Sequence, residues 1–132
     1  MALNVELLRS SFGLVVSREP QITARFYEIF FERYPQVVPM FGKTSGENQQ
    51  KMLTEALVAV VDHLEDAPWL KANLRALGKR HDGYGVTPEM YNWVGECLLA
   101  AMAAAAGKDW SPEIEAAWTD AYGAIVHLTL ND

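Results

Sequence analysis

Histidine is the first residue type to weigh, because imidazole ligates metals and changes charge near neutral pH. His63, His81 and His127 fall on three separate helical stretches, and no His-x-x-x-His or Cys-x-x-Cys pair occurs. That spacing argues against a zinc centre, which needs about three protein ligands held close together. A Gly-x-Ser-x-Gly elbow, a P-loop and a dinucleotide fingerprint are also missing. His81 stands apart. With Leu70, Leu74 and Leu77 it follows the spacing i, i+4, i+7, i+11, which puts all four on one helix face. A neutral imidazole so placed can offer one nitrogen to a metal while the other donates to a carbonyl. The plain alternative is a core histidine satisfied by a neighbour.

Two more polar residues share apolar surroundings. Gln49 lies one turn before Leu53 on an inward helix face, where an amide without a partner loses solvation. Tyr27 puts a phenol on an otherwise aromatic inner face. Each has an ordinary explanation: a core tyrosine, and a glutamine exposed at a fraying helix start. Together they set polar donors opposite a nitrogen ligand inside an apolar bundle, which is what a haem pocket requires.

The elements that must position these residues are helical throughout, and strand-like alternation is absent. A first helix is predicted over 3–17, with Val5, Leu8, Phe12, Val15 and Val16 on one face. Pro20 fits the first turn of a second helix carrying Ile22, Phe26, Tyr27, Phe30, Phe31 and Tyr34. Pro35 and Pro39 break it into a tight corner ending at Phe41. A loop over 42–46 leads into a helix over 47–65, with Leu53, Ala56, Leu57, Val60 and Leu64 in one stripe. A turn over 66–69 precedes the His81 helix, which Gly83 and Gly85 terminate. Thr87-Pro88-Glu89 and Ser111-Pro112-Glu113 each combine a hydroxyl cap, a first-turn proline and an acid at the positive end of the dipole. They open helices over 88–106 and 112–130. The stripes there are Met90, Val94, Cys97, Leu98, Ala101 and Ala105, then Ile114, Trp118, Ala121, Ile125 and Leu128. The fold class is all-α: about six long helices plus a short corner helix, in a single domain over 1–132.

The bulk composition narrows the partners. A net charge of −6 disfavours nucleic acid and anionic membrane surfaces, which require a basic face. Cys97 is the only cysteine, so no intramolecular disulfide forms, which fits a reducing compartment. The start MALNVELLRSSF lacks the apolar run of a signal peptide or anchor, and the apolar stretch Cys97 to Ala106 is far short of the ~20 residues that span a bilayer. A cytoplasmic protein is expected. Cys97 and the four tryptophans are expected to pack, and His63 and His127 to sit at the surface or at helix ends.

At this point the sequence resembles the globins, specifically the bacterial single-domain and flavohaemoglobin-type members, which also resemble neuroglobin. Four ordered stretches carry the likeness: FYEIFFERYP over 26–35 with Met40-Phe41, LRALGKRHDGYGV over 74–86, MYNWVG over 90–95 (the family's YxxVG), and AWTDAYG over 117–123 (its AWxxAYG). The resemblance implies a globin fold around haem b, with His81 as the iron's protein ligand. It implies Phe41 as the corner phenylalanine on the haem, Tyr27 as the distal tyrosine and Gln49 as the distal amide, with Asn48 in that role if the count slips by one. Leu53 walls the distal pocket and Tyr91 supports the proximal side. Leu57, Leu77, Arg80, Tyr84, Val86 and Val94 complete the expected cofactor contacts.

What the resemblance implies for function is reversible binding of dioxygen, and of carbon monoxide and nitric oxide, at a five-coordinate ferrous haem. Two donors over the gas would give high oxygen affinity. The alternative is nitric oxide dioxygenation with a separate reductase, and a gas sensor ranks below both. A monomer or weak homodimer is expected. In flavohaemoglobin-type members a glutamate late in the last helix joins the proximal histidine and a tyrosine. Alignment puts that glutamate just beyond Asp132, and no reductase domain accompanies the chain, so self-sufficient dioxygenation is not expected.

Overall fold

A computed structural model describes residues 3–41 and 46–130. The elements are α1 (Val5–Arg18), α2 (Ile22–Arg33), a 3-10 corner (Pro35–Phe41), α3 (Gly46–Asp62), α4 (Ala67–Gly83), α5 (Pro88–Ala106), a 3-10 turn (Gly107–Asp109) and α6 (Pro112–Leu130). Among the described residues there is no strand, and no helix is long and apolar enough to cross a membrane. The expected loop over 42–46 lies outside the described residues, apart from Gly46, which begins α3.

Capping sets the helix starts. The Asn4 side chain accepts from the Leu7 N–H, and Asp66 accepts from the Trp69 N–H. The Asp66 cap shortens the expected 66–69 turn, because Ala67, Pro68 and Trp69 already form the first turn of α4. Ser111 Oγ accepts from the Ile114 N–H at 3.2 Å as expected. Thr87 caps α5 by position only, since its side chain makes no capping bond. Pro20 stands ahead of α2 rather than in its first turn, because the helix starts at Ile22 behind Gln21.

The third helix ends three residues earlier than its apolar stripe suggests. The Arg9 guanidinium, reaching across from α1, bonds the Val61 carbonyl through Nε at 3.2 Å and the Asp62 carbonyl through Nη2 at 3.4 Å. It also pairs with Glu65. A cation on the last carbonyls ends a helix favourably. Leu64 therefore leaves the helix yet stays buried, whereas Ala56 is exposed.

The core is built from α1, α2, α5 and α6. Leu8, Val15, Phe26, Phe30, Cys97, Ala101, Met102 and Ala121 are almost fully buried in it. One buried polar chain is satisfied internally: Trp118 Nε1 donates to Ser11 Oγ at 2.9 Å, and Ser11 in turn donates to the Leu7 carbonyl. Helix α3 rests on α2 and α4 rests on α6, and neither packs closely on the other.

The α4–α6 crossing depends on Gly78. A Cβ there would run into the Thr129 backbone carbonyl, a rigid neighbour that cannot rotate away. Gly78→Ala is therefore expected to destabilise the fold by about 1–3 kcal/mol, although alanine is the better helix former. Chemical denaturation measures this directly. A neutral or stabilising result would mean that α4 shifts along α6 without loss.

Candidate functional site

His81 occupies the last turn of α4, half-buried. Its carbonyl accepts from the N–H groups of both Tyr84 and Val86 at 3.0 Å, which pins the backbone where the helix closes. Its Nδ1 lies 3.0 Å from the Tyr91 hydroxyl on α5. Burial, helped by the Arg80 charge, pushes the His81 pKa below its ordinary value and favours the neutral ring. The Tyr91 phenol is raised by burial and by the Asp82 charge, so it stays protonated. No second hydrogen bond reaches the His81 ring among the described residues. When Nδ1–H donates to the Tyr91 oxygen, the Nε2 lone pair is left free.

A residue two helices away steadies this pair. The Tyr122 hydroxyl on α6 donates to the Tyr91 backbone carbonyl at 2.6 Å. Burial raises the Tyr122 pKa strongly, keeping it a donor. Gly95 makes room for it, since a Cβ there would stand 2.5 Å from the Tyr122 ring. Neither role could be read from periodicity, although both residues lie inside the quoted MYNWVG and AWTDAYG stretches.

The other expected site residues lie on α2, the corner and α3. The Tyr27 ring packs against Phe26, Phe31 and Phe41 at centroid separations of 4.9, 5.6 and 5.8 Å. Burial pushes its pKa up to about 12, and its hydroxyl has no hydrogen-bond partner among the described residues. Leu53 and Leu57 on α3 are half-buried and pack against the core. Gln49 is half-buried and Asn48 exposed.

Leu77, Val86 and Val94, expected with His81, are half-buried. Arg80 and Tyr84, expected at the same site, are exposed. Tyr84 is 72% accessible, because α4 ends at Gly83 and its C-cap residue leaves the helix surface.

The end of α2, which leads into the corner that carries Phe41, is clamped to α5. Glu96 on α5 accepts from Tyr34 Oη and Arg33 Nη1, each at 2.8 Å, and these bonds hold its carboxyl below the usual range. The Tyr34 ring stacks nearly parallel on Trp93 at 4.7 Å. This clamp has no local sequence signature, since its partners lie some sixty positions apart.

The donor set fits a flat apolar cofactor bearing a metal. A neutral imidazole offers a free Nε2 on α4, α2, α3 and the corner carry half-buried aromatic and aliphatic side chains, and the Tyr27 phenol among them is unpartnered among the described residues.

Comparison with known proteins gives the same direction. The Globin family model matches residues 24–128. The chain is 32% identical over 123 residues to a flavohemoprotein of Bacillus thuringiensis, covering 92% of this chain and 30% of the relative. It is 33% identical over 130 residues to flavohemoprotein B of Dictyostelium discoideum, covering 97% and 30%. It thus spans about a third of the length of the curated relatives it matches. Among solved structures it superposes on a candidate nitric oxide dioxygenase of Rhodothermus marinus, engineered as a carbene transferase. That match has a TM-score of 0.81 and 30% identity, covering 95% of this chain and 87% of the other. A Pseudomonas aeruginosa protein described as structurally highly homologous to human hemoglobin matches in fold, with a TM-score of 0.84 at 24% identity over 96% and 95% of the two chains.

Proposed function

The chain belongs to the globin family, and on that premise we propose that it holds haem b in the cleft between α3 and α4, with His81 Nε2 as the protein ligand, and binds dioxygen reversibly. The observation that carries this reading is the His81–Tyr91 pair, which fixes the ring and leaves Nε2 free. The haem, when bound, supplies the iron that takes a diatomic gas. The chain's own residues do the rest. Phe41, Leu53 and Leu57 keep water from the gas side, while the Tyr27 hydroxyl and the Gln49 amide donate hydrogen bonds to the gas. In a dry pocket such bonds to a charged acceptor are worth roughly 1.5–3 kcal/mol each.

Absorption spectra of the oxidised, reduced and gas-exposed protein test this. A Soret band that shifts with carbon monoxide and with dioxygen is expected. Its absence after haem is supplied during folding would sink the reading.

A second reading is nitric oxide dioxygenation with electrons from a separate reductase, and likeness to flavohemoproteins and to the Rhodothermus protein favours it. Nitrate formed over many cycles in a reductase-coupled assay would support it. Nitrate formed once per haem would leave the binding reading alone.

A further inference from the structure

Helix α3 packs chiefly on α2, besides the Arg9 cap at its end, and one side-chain polar contact lies at the α2–α3 crossing. Thr23 Oγ1 on α2 and Thr54 Oγ1 on α3 are 3.0 Å apart. Thr23 is 5% exposed. The Thr54 hydroxyl already donates to the Gln50 carbonyl at 2.8 Å. A threonine hydroxyl has one proton to give, so Thr54 is the acceptor in the pair and Thr23 the donor. The bonds therefore run in one direction, from Thr23 through Thr54 to the Gln50 carbonyl. A hydroxyl bonded back to the carbonyl four residues earlier also bends its helix slightly.

This relay joins the two helices that carry Tyr27 and Gln49. Thr23 is one turn ahead of Tyr27 on the same face of α2. Gln50 and Thr54 flank Gln49 and Leu53 in the first turns of α3. We propose that the Thr23–Thr54–Gln50 relay is a positioning device: it sets the depth of α3 over the cleft and so the reach of Gln49 and Tyr27 to a bound gas. The proposal rests on the haem reading above. Thr23 and Thr54 touch no cofactor in it and act through the residues beside them.

The test is Thr23→Val, which keeps the shape and removes the donor, with Thr23→Ser as the variant that restores it. Three readouts are needed. Hydrogen exchange of the α3 amides over 50–58 in the cofactor-free chain should accelerate severalfold in Thr23→Val and return in Thr23→Ser. In the haem-loaded protein the carbon monoxide stretching frequency should move. The dioxygen dissociation rate should change by about 2- to 10-fold, the ceiling being what one neutral hydrogen bond is worth. A lower melting temperature with the stretching frequency and dissociation rate unchanged would overturn the proposal, because the pair would then only hold the fold together. Tyr27→Phe serves as the control. If it alters gas dissociation and Thr23→Val does not, the relay fails by itself. If neither does, the relay fails together with the assignment of Tyr27 as a donor to the gas.

Discussion

Replacing His81 by alanine is expected to abolish the Soret band of the purified protein while leaving its helical content intact. The fold has little stake in this side chain. His81 is half-buried on the last turn of α4, outside the fully buried core of α1, α2, α5 and α6. Its loss would leave one phenol, Tyr91, without its imidazole neighbour, a change of about 1 kcal/mol at a site near water. The cofactor has everything at stake, because both other histidines sit elsewhere in the fold. His63 stacks on Trp69 at 3.8 Å in the turn after α3, and His127 is exposed on α6.

Added imidazole should restore the band in His81→Ala. The cavity left behind accepts the ring, and the Tyr91 oxygen still accepts its N–H, so the free nitrogen points where Nε2 pointed. Restoration by imidazole separates a lost ligand from a damaged fold. A full Soret band in His81→Ala without imidazole would show that the iron's protein ligand lies elsewhere.

Sequence legibility followed the range of the interactions involved. Helices α5 and α6 run over the expected 88–106 and 112–130, since a Ser/Thr-Pro-Glu start is written in adjacent residues. The end of α3 was hidden because its cap, Arg9, sits more than fifty positions away in α1. The site divides in the same way. His81, Gln49 and Tyr27 stand out in helical spacing as polar residues on apolar stripes, and their proposed roles come from the family resemblance. The partner of His81 is ten positions along, and only the family resemblance pointed to Tyr91. Tyr122, which holds Tyr91 by its carbonyl, and Thr23, which meets Thr54, depend on helix crossings that no periodicity encodes. Tyr84, expected at the site from the family resemblance alone, follows the end of α4 at Gly83 and is exposed in this structure.

Tyr27→Phe isolates the gas-side chemistry more cleanly than any other substitution. Phenylalanine keeps the ring and with it the packing on Phe26, Phe31 and Phe41, so stability should change little. Only the hydroxyl goes, and it has no partner among the described residues that would be left stranded. With its pKa pushed up to about 12 by burial, Tyr27 is a neutral donor across the whole working range of pH. Its effect on gas binding should therefore not titrate.

Losing a hydrogen bond to a charged acceptor, worth roughly 1.5–3 kcal/mol, should raise the dioxygen dissociation rate about 10- to 100-fold. Carbon monoxide is less polar when bound, gains less from the donor, and should dissociate at a rate much closer to that of the parent protein. The ratio of the two effects is the diagnostic. A large change for both gases would mean that the ring, by its bulk, had been controlling access to the cleft. No change for dioxygen would move the donor's role to Gln49 on α3, where Gln49→Leu should then produce the whole effect.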